Sequence, residues 1–323
     1  MLKNMKLGLK MGLGFGLVII LVVIVGGLAI FNMLSIQEEA TTLRDAYVVE
    51  VDVANNIERN SLLTMYNMRG YSLTYEDSYK EQTDQYLASL HEYLTAAEDL
   101  VQKFPFLVKL KEDIGKAQTR VGEYEDLAAQ TEEAIQEIAA ARTVMDTAAA
   151  LYLEQTNAFL DNQEVQYRRD LQADATDAEM LERLRKIYLM NEAIDIVNNV
   201  RVLNFKAQAD RDPSLIQEAI NRIDKISELA VELHEITRLA ADLEALNIIA
   251  ETRAQYRQAM VDTLNAFNKL TSLNTERNAV ADEVLELAQE IALAGIDGTN
   301  RIADDTVNLV AASVVIVIIG LVV

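Results

Sequence analysis

The stretch Leu107–Tyr152, LVKLKEDIGKAQTRVGEYEDLAAQTEEAIQEIAAARTVMDTAAALY, decides the fold. Steps of three and four along it select Leu107, Leu110, Ile114, Ala117, Val121, Tyr124, Ala128, Thr131, Ile135, Ile138, Arg142, Met145, Ala149 and Tyr152. A seam with a period of about 3.5 residues, sustained this long, is the mark of an amphipathic helix packed in coiled-coil fashion. No proline interrupts it, and the sequence on either side is rich in alanine, leucine, glutamate and glutamine, which favour helix. The fold class is therefore all-α.

Outward from this stretch the breaks are few. Arg69–Ser78 contains Gly70 and turn-tolerant residues, Lys103–Phe106 and Asp210–Ser214 each carry a proline, Leu171–Ala178 is polar, and a softer break falls at Arg238–Asp242. Pro213 after Asp212 is a helix-start signal. These breaks leave six helices, four short and two long, at roughly 34–70, 77–103, 106–171, 177–209, 213–238 and 242–306. The order short, short, long occurs twice, an internal repeat of lengths. Asn67-Met68-Arg69 is echoed by Asn204-Phe205-Lys206, and Tyr124 by Tyr256.

At a rise of about 1.5 Å per residue, each long helix reaches roughly 100 Å, matching the two short helices before it laid end to end. The expectation is two stacked four-helix bundles. The short helices climb in relay and the long ones return. A membrane-proximal bundle would hold 34–70, 135–209 and 270–306, and a distal bundle 77–134 and 213–269.

Met11–Met33 is an uncharged apolar run long enough to cross a bilayer. Lys3, Lys6 and Lys10 precede it and no acidic residue occurs before Glu38, which puts residues 1–10 in the cytoplasm and the following segment outside. A cleaved signal peptide is the competing reading, but Gly26–Met33 offers no good cleavage site. Gly8, Gly12 and Gly16 would let two such helices approach closely, as in a homodimer. A second apolar run, 307–323, reads as a returning transmembrane helix cut near its inner end, so the chain is expected to be a fragment. Between the runs, 34–306 is extracytoplasmic, and the whole is a multi-pass protein of the inner membrane.

The net charge of −22 lies almost wholly between the apolar runs, which rules against nucleic acid as a partner. Cysteine is absent, which excludes disulfides and thiol chemistry. The two histidines, His91 and His234, have Ala88 and Val231 three residues before them, so the Glu-x-x-His pairs of di-iron bundles are missing. Neither an H-E-x-x-H sequence nor a phosphate-binding glycine loop occurs. The chain is read as neither an enzyme nor a metal or cofactor protein.

Polar residues on the seams are the candidates for function, because buried charge is costly unless paired. Arg142 interrupts the third helix. The fourth runs Ile187, Asn191, Ile194, Asn198, Arg201, Phe205, the sixth Met260, Thr263, Phe267, Leu270, Asn274, Arg277, and the first Val49, Val53, Asn56, Asn60, Leu63, Asn67, with Arg59 alongside. In the relay topology Asn60 and Arg201 stand roughly 40 Å above the membrane, and Arg142 and Arg277 roughly 45 Å. Arg59, Asn60, Arg142, Asn198, Arg201, Asn274 and Arg277 would then form one layer. Guanidinium forks and amides suit a small carboxylate. The competing reading gives these arginines to a structural network with Glu58, Glu137 or Glu276. A second cluster, Tyr79, Tyr86, Arg120, Tyr124, Arg253 and Tyr256 with Arg257, falls at roughly 70–80 Å by the same count.

The opening MLKNMKLGLKMGLGFG (1–16) resembles the start of many methyl-accepting chemotaxis proteins. Two stacked helical bundles between two spans are similar to the helical bimodular sensor domain of chemoreceptors and of some sensor histidine kinases. The resemblance implies recognition of small organic acids by arginines of a membrane-proximal pocket, sometimes with a second ligand in the distal bundle. It also implies HAMP and cytoplasmic signalling segments beyond this chain. A ligand wedged between helices of the lower bundle would favour one of two packings and pass a small shift of the sixth helix into the second span. The rival from the same resemblance is a histidine-kinase ectodomain that reads a docked periplasmic binding protein. That rival docks its partner on the upper bundle and calls for a vestigial pocket and an exposed apolar or aromatic patch near Lys103–Phe106. A third reading is a structural, membrane-tethered helical protein whose seam arginines are all satisfied internally.

Overall fold

The computed structural model describes residues 6–322; Lys3 with the rest of the opening five residues, and Val323 of the second apolar run, lie outside them. Eight α-helices follow in order: α1 Leu7–Thr42, α2 Val48–Thr74, α3 Asp77–Lys103, α4 Val108–Gln172, α5 Asp177–Asp210, α6 Pro213–Asp224, α7 Ile226–Ile236 and α8 Ala240–Val322. A π-helical turn, Leu43–Tyr47, joins α1 to α2 without a break, and α6 and α7 are one rod interrupted at Lys225. The six rods expected from the sequence are present. The first and last also run on into the apolar ends.

The breaks have local causes. Thr176 caps α5 with Glu179 in a reciprocal capping box, satisfying two end amides. Asp212 accepts from the Ser214 amide at 2.9 Å, with Pro213 in the first turn of α6. Tyr75 and Arg211 end their helices in the left-handed region, at φ 62° and 55°.

The chain divides into two units. The first contains the residues up to Glu125 and from Asn278 onward; the second is Asp126–Arg277. In the first, α2 and α3 form an antiparallel hairpin. Tyr79 lies against Gly70, where a Cβ would meet its ring at 2.5 Å, and Phe106, just past α3, comes back to Tyr47 at the start of α2, with ring centroids 5.8 Å apart. The first part of α4 and the last part of α8 complete its bundle. Leu90, Leu94, Leu110, Val121, Val284 and Ile291 are buried in its core.

In the second unit α4 turns into α5, where Arg183 pairs with Asp170 at 2.9 Å. The α6–α7 rod returns along α5, with Arg185 on Glu232 at 2.6 Å. The start of α8 then meets α4 through Asp242, which accepts from Asn162 at 2.5 Å and Gln163 at 2.6 Å. Met145, Leu189, Met190, Ile223 and Met260 fill this core.

The expected division, with 34–70, 135–209 and 270–306 in one bundle and 77–134 and 213–269 in the other, is therefore corrected. Helix lengths could not discriminate. Two 27-residue helices match a 65-residue helix in relay, but equal lengths also pair as a hairpin. A two-residue link with left-handed Tyr75 reverses the chain and selects the hairpin.

The N-terminal part of the 7–74 helix carries an uncharged window of the length and apolarity of a membrane span, none of it buried. Among the described residues it is the one helix that meets this test. The Asn32 amide donates to the Ser313 hydroxyl at 2.7 Å, and Thr306 to Glu39 at 2.8 Å, holding α1 beside the end of α8.

Candidate functional site

The second unit carries its polar groups on the inward faces of α4, α5 and α8. On α5 the buried face is Lys186, Leu189, Met190, Ala193, Val197, Val200, Asn204 and Ala207. This is one residue out of step with the predicted seam, so Asn191, Asn198 and Phe205 are exposed and Arg201 is half-buried at the edge. Asn204 donates to the Met145 sulfur at 3.2 Å, and its carbonyl oxygen has no partner. Tyr256 on α8 is buried beside it. Burial pushes the Tyr256 hydroxyl up, opposed by the Asn204 amide and the Arg201 charge and reinforced by Asp146.

Tyr152 on α4, 3% exposed, also has a hydroxyl without a partner. Burial raises its pKa and the Arg253 charge opposes the rise. The buried Nε of Arg253 has no partner either. Asp224, which feels the Arg253 charge, is engaged by Arg257 at 2.7 and 3.0 Å. Arg201, Arg253, Tyr152, Asn204 and Tyr256 thus bring two guanidinium groups, neither with an ion-pair partner among the described residues, to two phenols and an amide. Such a set offers donors to an anion in a medium where each counts for more than in water.

The other predicted positions fall elsewhere. Arg277, 3% exposed, donates to Thr131 and to Asn274 at 2.6 Å each, a bond set internal to the bundle. Arg142 is exposed and gives its Nε to Gln208 at 2.9 Å. Asn198 is exposed. Arg277 is level with residue 131 of α4, and Arg142 stands about 16 Å further along that helix. Through Asn204 and Met145, Arg201 is level with positions near 148, about 9 Å further still. Arg59 and Asn60 belong to the first unit, where Arg59 is exposed and the Asn60 amide donates to the Asn56 carbonyl at 2.7 Å. The single layer is not formed, because it rested on the relay topology.

The second predicted cluster divides in the same way. Tyr79, Tyr86, Arg120 and Tyr124 are in the first unit, Arg253 and Tyr256 in the second. Arg120 is paired with Glu123 and Glu283, both at 2.6 Å. Tyr124 borders a void of about 10 Å³, one water in size, with Ser61, Thr64 and Leu87. The Ser61 and Thr64 hydroxyls are already spent on the carbonyls of Ile57 and Asn60.

Sequence reasoning ranked Tyr152 as core and Asn204 as a repeat echo, and left out Asp146 and Glu50. Glu50 is 1% exposed, with one carboxylate oxygen unpartnered. A polar residue with buried apolar neighbours three and four positions away, as Glu50 has in Tyr47, Val53 and Ala54, was the available signal.

Comparison with known proteins adds three findings. The family described as a four helix bundle sensory module for signal transduction matches residues 4–170. Among solved structures, the chain is similar to the TorS sensor domain in its complex with TorT in the presence of TMAO. Identity is 12%, covering 80% of this chain and 99% of that one, with a TM-score of 0.45. Comparison with curated proteins gives no match.

Proposed function

We propose, for a chain that belongs to the four-helix-bundle sensory modules for signal transduction, that it is the ligand-sensing region of a membrane chemoreceptor and takes a small carboxylate in its second unit. The observation that carries this reading is the pair Arg201 and Arg253: among the described residues neither has an ion-pair or hydrogen-bond partner, and the buried Nε of Arg253 is unsatisfied, in a chain of net charge −22. They stand beside the unpartnered polar atoms of Tyr152 and Asn204. An unpaired buried polar group costs about 1–3 kcal/mol, and two of these, the Tyr152 hydroxyl and the Arg253 Nε, are donors, so a bundle that keeps them together has a use for them. A dicarboxylic acid would engage one guanidinium at each end, with the phenols and the amide fixing its orientation.

The magnitudes are sufficient. A charge-assisted hydrogen bond contributes about 1.5–3 kcal/mol, and micromolar affinity requires about 8 kcal/mol in total. The negative surface does not prevent entry, since charges are screened over about 8 Å at physiological salt. In this reading residues 11–33 and 307–323 span the inner membrane, 34–306 lie outside it, and the protein works as a homodimer without catalysing a reaction. α8 carries Arg253 and Tyr256 and runs unbroken to Val322, so a ligand that favours one packing of α8 moves the apolar segment at its end.

The rival reading, a kinase ectodomain that docks a binding protein, called for an exposed apolar patch near Lys103–Phe106. Phe106 and Val108 are exposed, at 48% and 68%, but beside Tyr47, at the end of the bundle that adjoins α1. That is the wrong end for a soluble partner if α1 is the anchor. The test is calorimetric titration of the full chain in lipid nanodiscs with mono- and dicarboxylic acids, together with Arg201→Ala and Arg253→Ala. Saturable binding is expected, weakened about 10- to 100-fold by either substitution. No heat with any acid would abandon the carboxylate in favour of the docked protein.

A further inference from the structure

The first unit has a buried group that the sensing of a carboxylate does not use. Glu50, on the third residue of α2, is 1% exposed and lies between α2 and α8. Two glycines of α8 make room for this end of α2, Gly295 at Glu50 and Gly298 at Tyr47. A Cβ at Gly295 would stand 2.7 Å from Val51 and 3.2 Å from Glu50 Oε2, and one at Gly298 would run into the Tyr47 ring. The helices therefore cross here at a separation that only glycine permits, with a carboxyl group in the crossing.

Among the described residues no cation pairs with Glu50. Its Oε2 has no hydrogen-bond partner. On the side of α4, Lys109 is held by Asp113 at 2.7 Å and by Glu290. On α8, Arg301 donates to the Tyr47 hydroxyl at 2.8 Å, and Asp297 shares the same recess and adds negative charge. In the turn before α2, Arg44 and Asp45 pair with each other at 2.6 Å. In the α3–α4 loop, Lys103 lies over the Phe104 ring. Phe106 and Leu107 supply an apolar wall. Burial accordingly pushes the Glu50 carboxyl up to about 7.

We infer that Glu50 is a proton-operated switch at the α2–α8 crossing, neutral and closely packed when protonated, and forcing the helices apart or admitting water when ionised. Its position gives it leverage. The π-helical turn Leu43–Tyr47, an irregularity of a kind frequent at functional sites, ends three residues before it on the helix that begins in the apolar N-terminal run. The opposing helix ends in the second apolar run. A change in this crossing is thus connected by continuous helix to both apolar segments, and extracytoplasmic pH would bias the same output as a bound ligand. The inference does not depend on the carboxylate site.

The chain has no cysteine, so spin labels can be placed at will. Labels at the exposed positions Asp52 and Leu293 report the α2–α8 distance across the crossing, in the full chain in nanodiscs, by pulsed electron resonance. Between about pH 5 and about pH 9 the wild type is expected to move between two distance populations with a midpoint near 7. Their ratio would change by up to tenfold per pH unit, the limit for one proton. Glu50→Gln should hold the acid population throughout. A Gly295→Ala chain, pried open by the added methyl group, should hold the alkaline one. A distance independent of pH in the wild type, or an unchanged pH response in Glu50→Gln, overturns the inference.

Discussion

Arg253 and Arg277 are both arginines on the inward side of α8, yet their removal should act in opposite ways on the unliganded protein. Arg277 is 3% exposed and makes bonds of 2.6 Å to Thr131 and to Asn274. Arg277→Ala deletes these charge-assisted bonds and leaves a cavity, a loss of about 2–4 kcal/mol. Among the described residues Arg253 has no hydrogen bond or ion pair to lose, only the longer-range attraction of Asp224, and its buried Nε is unsatisfied. Arg253→Ala should therefore leave stability within about 0.5 kcal/mol, or raise it. In a unit of this size each kcal/mol moves the melting point by about 2–4 °C, so the expected shifts are about −5 to −15 °C for Arg277→Ala and within about 2 °C for Arg253→Ala. With a bound acid at a hundred times its Kd, wild type and Arg253→Ala, alike without it, part. The wild type should gain about 2.7 kcal/mol, and a variant weakened about 30-fold about 0.9 kcal/mol. Circular-dichroism melts with and without the acid read both effects. An Arg253→Ala chain that melts as low as Arg277→Ala without ligand would make Arg253 structural and remove the basis of the site.

Three further outcomes follow from the packing. Asp242→Ala leaves the fully buried Gln163 without its acceptor and should cost about 2–3 kcal/mol, read as a lower urea midpoint with an unchanged slope. Gly298→Ala drives a methyl group into the Tyr47 ring and should cost about 1–3 kcal/mol. Tyr47→Ala in the same chain should recover part of it in a double-mutant cycle. Glu50 is raised in the folded chain from 4.5 to about 7, so the folded state binds the extra proton between those values. Its cost is absent below about pH 4.5, grows as pH rises and is complete above about 7, at roughly 3 kcal/mol. Glu50→Gln should flatten the stability profile in that window and be the more stable chain at neutral pH; parallel profiles would refute this.

The helices themselves were legible, because their signals are local. Asp212 and Pro213 open α6 where the sequence places a helix start, and the seam Met260, Thr263, Phe267, Leu270 and Arg277 on α8 is buried as read. The pairing of helices was not legible. It turns on the reversal at Tyr75, a left-handed residue that carries no glycine or asparagine to announce it. The α5 seam failed for a different reason. Leu181, Leu184, Tyr188, Val202 and Phe205 are apolar and exposed, so the helix is apolar on more than one face. A seam read one residue out of step is turned by about 100° around the axis, which places Asn191 and Asn198 outside and brings Asn204 in.

That shift explains why the candidate site was only half visible. Arg201, Arg253 and Tyr256 were singled out, but in two separate clusters, because their heights were counted on the wrong topology. From the sequence, Arg277 and Arg253 are equivalent. Only the partners supplied by other helices separate them: Thr131 accepts from Arg277, while the buried Nε of Arg253 has no acceptor. The distinction that matters is therefore between polar groups that are satisfied and those that are not. Arg277, Asp242 and Arg120 are satisfied, and the bundle is more stable for it. Tyr152, Asn204 and Arg253 in one unit, and Glu50 in the other, hold unpaired atoms against the packing of the same helix, α8. A hydrophobic side chain at any of these positions would remove the cost, so what they retain is the capacity to respond, to an anion in the first case and to a proton in the second.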